Sequence, residues 1–162
     1  FERQSVTLKK KEIDAHELIN GVVNTFRLKV EKNNGTLEAE LNAQDPVIFV
    51  DEMHFTNVVF NLLDNAVKYK SPDRDIALKI RTWNESGKLC ISIEDNGIGI
   101  KKENLKKIFD KFYRGSNLPD RSLPGIGLGL SYVKLLVEAH HGSISLNSQA
   151  GKGTMIEINI PQ

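Results

Sequence analysis

Asp51-Glu-Met-His-Phe-Thr-Asn-Val-Val-Phe-Asn-Leu-Leu-Asp-Asn-Ala-Val-Lys-Tyr-Lys70 is the stretch from which the rest of the chain can be read. Phe55, Val58, Val59, Leu62, Leu63, Ala66 and Val67 recur at intervals of three and four, which predicts a helix over about 52–70 with one apolar face. Asp51 stands where an N-cap belongs and Pro72 closes the segment. A polar stripe adjoins the apolar face: Asn57, Asn61, Asp64, Asn65 and Lys68. Asparagine is a mediocre helix former, yet its carbonyl oxygen is a hard, neutral donor of the kind Mg²⁺ accepts alongside water and phosphate. Taken alone, the stripe reads as a solvated face.

Working outward, residues 4–9 suit a short first strand. A helix follows over about 14–32, with Asp14 and Glu17 at capping-box spacing and Ile19, Val22, Val23, Phe26 and Val30 facing a core. Asn33, Asn34 and Gly35 stop it, and strands are expected near 36–41 and 46–50. After the central helix, Ile76, Leu78 and Ile80 alternate in one strand and Leu89, Ile91 and Ile93 in the next, an antiparallel pair turning at Glu85, Ser86 and Gly87. Beyond a glycine-rich stretch at 95–99 come a short helix near 101–108, an aperiodic loop over about 114–124 and a third helix near 126–141 that stops at Gly142. A hairpin of strands at about 143–148 and 154–160 ends the chain. The expected fold is a two-layer α/β (α+β) sandwich, a mixed, mostly antiparallel sheet packed on three helices, forming a single domain over residues 1–162.

Composition sets bounds on partners. The 162 residues hold 22 basic and 21 acidic side chains, a net charge of +1, so no broad field exists to hold a nucleic acid or an anionic membrane face. The cluster Lys9, Lys10, Lys11 reads as a solvated strand end. The lone Cys90 cannot form an internal disulfide, and no apolar run approaches the length that crosses a bilayer.

Two further motifs change the reading of the asparagine stripe. Asp95-Asn-Gly-Ile-Gly-Ile100 follows an apolar strand, where a carboxylate can accept a hydrogen bond from an exocyclic amine such as that of adenine, and where Gly97 and Gly99 allow the backbone close to a flat ring. Singly, Asp-Asn-Gly is a turn sequence. Gly125, Gly127 and Gly129 alternate through Pro124-Gly-Ile-Gly-Leu-Gly-Leu130 as the third helix begins. Each interior glycine costs a helix about 1 kcal/mol relative to alanine. Glycine at a helix start, however, exposes amide donors at the positive end of the dipole, which suits a triphosphate. The ordered combination of the three motifs points to one nucleotide site.

In these motifs the chain resembles the GHKL superfamily, and within it the catalytic (HATPase_c) domain of sensor histidine kinases, over about residues 4–160. Asn61 to Tyr69 resembles the N box, Asp95 to Gly99 the first G box, Ile108 to Arg114 the F box, Gly125 to Leu130 the second G box, and Gly151-Lys-Gly-Thr154 the closing G box. The resemblance implies a Bergerat-type fold, ATP and Mg²⁺ as cofactors, and catalytic residues Asn61, Asn65, Lys68 and Arg114. It implies that Asn65 ligates Mg²⁺ with Asn61 in support, that Lys68 and Arg114 contact phosphates, and that Tyr69 packs on the nucleotide. Asp95, with Thr154 beside it, would read the adenine amine. Gly97, Gly99, Gly125, Gly127, Leu128, Gly129 and Leu130 would line the site. Phe109 and Phe112 would anchor a lid at about 114–124; plain core packing accounts for both phenylalanines equally well.

Asn61 separates readings inside that superfamily, because the hydrolytic members carry a glutamate at the matching position and an amide has no basicity with which to activate water. The expected activity is transfer of the γ-phosphate of ATP to a histidine on a separate dimerisation domain, with a response regulator served indirectly, no nucleic-acid partner and no direct membrane contact by this domain. The alternatives are a degenerate module that binds nucleotide and a partner without catalysis, and a superfamily ATPase. Ile126 departs from the Thr or Ser common in the kinases. His16-Glu17-Leu18 mimics the start of the family's phosphoacceptor motif, but Gly21 stands where that motif has Pro, and a surface histidine is the better reading. His140 and His141 end a helix, where a cationic ring is favoured. The resemblance further implies a monomeric, cytoplasmic domain of a larger membrane-bound sensor whose dimerisation and sensor segments lie outside this chain.

Overall fold

A computed structural model describes residues 7–109 and 126–162 of the chain. In order, the elements are β1 (Lys10–Asp14), α1 (Ala15–Lys32), β2 (Thr36–Leu41), β3 (Val47–Asp51), α2 (Glu52–Lys68), β4 (Ala77–Glu85), β5 (Lys88–Asp95), a 3-10 turn (Lys102–Lys107), α3 (Ile126–Ala139), β6 (Ser143–Gln149) and β7 (Gly153–Pro161). The main sheet has the order β2-β4-β5-β7-β6, with β2 parallel to β4 and the other pairs antiparallel. β1 and β3 form a separate antiparallel ribbon. The mixed, mostly antiparallel sheet and three helices match the sequence expectation.

The first strand does not. It runs over Lys10–Asp14 rather than 4–9, and Thr7, Leu8 and Lys9 lie outside any strand. The cause is a long-range partner: Lys10 pairs with Asp51 and Asp14 with Val47, so the five-residue β3 dictates where pairing starts and stops. Alternation of Val6 and Leu8 carries no information about that register. Residues 4–6 and the expected lid at 114–124 lie outside the described residues.

Local chemistry accounts for the helices. The Asp14 carboxylate accepts the backbone N–H groups of His16 (2.8 Å) and Glu17 (3.3 Å), capping α1. Asp51 does the same for α2, accepting from the His54 N–H at 3.0 Å. Ile19, Val22, Val23, Phe26 and Val30 of α1, with Phe55, Val58, Val59, Leu62, Leu63 and Ala66 of α2, are buried against Ile80, Leu89, Ile91, Ile93, Ile156, Ile158 and Ile160 of the sheet. In β5 and β7 the apolar side chains alternate at period two, Ile91 facing Ile158 and Ile93 facing Ile156 across the ladder, so one face of the sheet covers the helices.

The end of α3 is built differently from the sequence reading. The left-handed residue is His141 (φ 64°), not Gly142. His141 N–H reaches the Glu138 carbonyl and Gly142 N–H the Val137 carbonyl, both at 2.9 Å, the two bonds of a Schellman ending. Gly142 is needed for space: a Cβ there would overlap the Asn159 carbonyl of β7 and come within 2.9 Å of Ile160. His140, expected to carry charge, is buried at 5% exposure. Its Nδ1 bonds the Leu136 carbonyl (2.8 Å) while Nε2 accepts the Asp51 N–H (3.0 Å), an arrangement that uses both nitrogens of a neutral ring. Burial accordingly pushes its pKa down.

A non-glycine residue in the left-handed region costs about 1–2 kcal/mol, offset in part by the lower chain entropy of the unfolded state. His141→Gly is therefore expected to raise stability by up to about 1 kcal/mol, and Gly142→Ala to lower it by about 1–3 kcal/mol, both measured by urea unfolding. Equal effects at the two positions would contradict this division of roles.

Candidate functional site

The site grows from the polar stripe of α2. Asn57 Nδ2 lies 3.5 Å from the Tyr132 hydroxyl of α3, and Asn61 Nδ2 donates to the Asn57 carbonyl one turn back at 2.7 Å. Asp64 and Lys68 form an i, i+4 ion pair at 3.0 Å. Asn65 faces Gly129 of α3: a Cβ on that glycine would stand 3.4 Å from Asn65 Nδ2 and 3.5 Å from its Oδ1, filling the space in front of the amide. The α2 and α3 helices run antiparallel, since Asn65 meets Gly129 at one end and Asp51 meets His140 at the other. Gly129, in the first turn of α3, is thereby set beside Asn65.

The C-terminal end of α2 joins the next motif. The Tyr69 carbonyl accepts the Ile98 N–H at 3.0 Å, and a Cβ on Gly97 would overlap that same carbonyl oxygen. Only glycine permits the approach. Gly99 takes a left-handed conformation (φ 72°) against the backbone of Gln149 and Ala150. The loop 96–99 thus lies between the end of α2 and the β6–β7 turn.

Asp95 ends β5 directly opposite Thr154 of β7. Its Oδ1 accepts the Gly97 N–H at 2.8 Å. Burial raises its pKa to about 6, with the backbone N–H bonds from Gly97 and Thr154 pulling the other way. Two of the roughly four acceptor positions of an ionised carboxylate are thereby spent, leaving others for a donor. Ser148 Oγ donates to the Gly153 carbonyl (2.9 Å), accepts the Ile100 N–H (2.9 Å) and lies 2.8 Å from Thr154 Oγ1. A hydroxyl has one proton, so with that of Ser148 on Gly153, Thr154 donates to Ser148 and its oxygen keeps acceptor capacity. A cleft of about 290 Å³ opens here, lined by Glu94, Asp95, Ser148, Lys152 and Thr154 among others.

Among the expected site residues, then, Gly129, Asn65, Tyr69, Gly97, Asp95 and Thr154 belong to one run of contacts, while Asn61 and Lys68 lie on the same helix and Gly99 packs on Gln149 and Ala150. Leu130 is buried beneath it, and Gly127 and Leu128 enter α3. Phe112, Arg114 and Gly125 lie outside the described residues; Phe109 packs against the core, with Lys134 Nζ 5.5 Å above its ring. His16 is tied by Nε2 to the buried Thr82 hydroxyl at 2.8 Å, in keeping with a structural role.

Three residues were missed in the sequence. Arg74 donates to the carbonyls of Asn96, Gly97 and Gly151. Asn96 accepts the Ala77 N–H and donates to the Asp75 carbonyl, both at 2.9 Å. Ser148 orders the Thr154 hydroxyl. Asn96 could have been found, since an asparagine in a turn commonly bonds nearby backbone; Arg74 gave no periodic signal.

No helix among the described residues is long and apolar enough to cross a membrane. Comparison with known proteins agrees with the geometry. Residues 50–162 match the family described as histidine kinase-, DNA gyrase B-, and HSP90-like ATPase. The chain is similar to sensor protein RprX of Bacteroides fragilis, 61% identical over 163 residues, and to sensor histidine kinase WalK of Bacillus subtilis, 32% identical over 161 residues. It covers 99% of itself in both alignments but only 31% and 26% of those relatives, so it spans less than a third of their length. The nucleotide-free catalytic domain of histidine kinase ThkA superposes with a TM-score of 0.78 at 25% identity, covering 94% of this chain and 95% of that one. The chain therefore belongs to the family of histidine kinase-, DNA gyrase B- and HSP90-like ATPases.

Proposed function

We propose that this chain is the ATP-binding catalytic part of a sensor histidine kinase, passing the γ-phosphate of Mg-ATP to a histidine on a separate helical dimerisation domain. The observation that carries the reading is the single line of contacts from Gly129 through Asn65 and Tyr69 to Gly97, Asp95 and Thr154. Acceptors on Asp95 and Thr154 at one end suit an amine, and the first turn of α3 beside Asn65 at the other suits phosphates.

The donor set fits a nucleotide-borne Mg²⁺. Among the described residues no group of three His, Cys, Asp or Glu could hold a metal alone, whereas the Asn65 oxygen suits an ion that keeps phosphate and water as its other ligands. Bound there, Mg²⁺ supplies charge neutralisation across the phosphates. Lys68 pairs with Asp64 one turn back at 3.0 Å, which keeps its ammonium on the polar stripe of α2 where a phosphate would lie. Asn61, with its amide on the Asn57 carbonyl, offers no base for water, which favours transfer over hydrolysis. The acceptor domain, the regulator served and any membrane anchor belong to the same proposal.

Incubating the chain with Mg-ATP and a separately supplied dimerisation domain should place acid-labile phosphate on a histidine. Steady release of inorganic phosphate by the chain alone would instead mark an ATPase, and binding with neither product a non-catalytic module. Asn65→Ala should weaken Mg-dependent ATP binding by about 10-fold or more, read by calorimetry with and without Mg²⁺; an unchanged Mg²⁺ dependence would remove Asn65 from the metal.

Asp95 predicts opposite pH trends for stability and for binding. Its folded-state pKa of about 6 lies above the ordinary 3.8, so the nucleotide-free protein favours the protonated acid and loses stability as pH rises through that window. Recognition of an amine favours the ionised form, so ATP affinity should fall as pH drops through about 6. Asp95→Asn should gain melting temperature over the unaltered protein at pH 8, lose that advantage at pH 4, and bind ATP weakly at both. Parallel melting curves for the two proteins would contradict the assignment.

A further inference from the structure

We infer that Arg74 is a positioning residue for the nucleotide site, acting on Asp95 and on the end of α2 through the peptide planes between them; the inference rests on the reading of that site given above. Arg74 lies between α2 and β4, with its guanidinium against three backbone carbonyls. Nε and Nη2 both reach Asn96 O, at 3.1 and 2.8 Å, and Nη2 also meets Gly97 O at 3.0 Å and Gly151 O at 3.1 Å. Nη2 has two protons for three carbonyls, so at least one proton is shared.

Each of those carbonyls belongs to a peptide whose opposite edge already has a task. A trans peptide is planar, so fixing its oxygen also fixes the direction of its N–H. The peptide whose oxygen is Asn96 O carries the Gly97 N–H, which holds the Asp95 carboxylate at 2.8 Å. The next, whose oxygen is Gly97 O, carries the Ile98 N–H, which holds the Tyr69 carbonyl at 3.0 Å. The third, whose oxygen is Gly151 O, carries the Lys152 N–H, bonded to Gln149 O at 3.0 Å in the turn leading to Thr154. One side chain thereby orients the amine-reading carboxylate, the end of the asparagine helix and the turn before the second acceptor.

Three carbonyl dipoles converging on one point repel one another unless a cation sits among them, as the Arg74 guanidinium does here. The planar fork of arginine bridges several acceptors at once, whereas a lysine ammonium acts as a point charge on a flexible stem. The Asn96 side chain ties the same two segments in the other direction, accepting from Ala77 N–H and donating to Asp75 O. Arg74 and Asn96 thus form a reciprocal clamp between residues 74–77 and the loop after β5.

The test compares the unaltered chain with Arg74→Ala and Arg74→Lys, reading ATP and GTP affinities by calorimetry and backbone amide exchange in the nucleotide-free protein. Arg74→Ala should weaken ATP binding about 10-fold with a smaller loss for GTP, so that base preference narrows, and should speed exchange at Gly97, Ile98 and Lys152. Arg74→Lys should recover only part of both effects. A variant that melts at lower temperature yet keeps the ATP to GTP ratio and the exchange pattern would overturn the positioning role. Failure of the unaltered chain to bind ATP would overturn the nucleotide site itself, and this inference with it, and is recognised from that control alone.

Discussion

The Tyr69 carbonyl and the Ile98 N–H meet at 3.0 Å, and the geometry of the whole site depends on their being able to do so. The bond ties the last turn of α2, which carries the asparagines, to the loop that leaves the central strand of the sheet. A side chain at position 97 would fill that gap, so the helix layer and the sheet layer approach this closely only over a glycine. On one side the suture sets Asn65 toward the start of α3; on the other it leaves Asp95 and Thr154 at the end of the ladder. Such a join between layers needs support, because each layer is otherwise held by its own apolar face, which has no directional preference.

Among the described residues, the Asp95 end of the site carries the denser set of side-chain to backbone hydrogen bonds. At the Asp95 end, nearly every polar atom is held by a neighbour: Gly97 N–H on Asp95, Ile100 N–H and Gly153 O on Ser148, Arg74 on three carbonyls. At the α2–α3 end the contacts are an ordinary van der Waals approach of Gly129 to Asn65, a long contact of Asn57 with Tyr132 and a surface ion pair. Recognition of a flat base benefits from preorganisation, since less ordering is required on binding. Burial raises the pKa of Asp95 to about 6, so ionising it costs the free protein stability.

Much of this was legible in the chain. The apolar faces of α1 and α2, the caps Asp14 and Asp51, and the β4–β5 and β6–β7 hairpins follow from spacing alone, because they depend on neighbours in sequence. The asparagine stripe, the Asp-Asn-Gly turn and the alternating glycines pointed to a site through their ordered combination, since the first two singly have ordinary explanations and only the glycines are a poor local choice. What escaped reading depends on distant partners. The start of β1 is dictated by β3, the parallel pairing of β2 with β4 leaves no trace in period two, and the neutral state of His140 follows from the Asp51 N–H that reaches it across 89 residues. Arg74 is the clearest case: its acceptors are main-chain carbonyls, which every residue possesses, so nothing in the sequence points to them.

A single nucleotide seated in the site touches all of these places at once. Amide spectra of the labelled chain, recorded with and without Mg-ADP, test that most directly. Shifts that include Asn61–Tyr69, Asp95–Gly99, Gly129–Leu130 and Thr154, saturating together at one concentration, are the predicted result. Shifts at only one of these places, or centred on the β1–β3 ribbon or the outer edge of β2, would contradict a single nucleotide site.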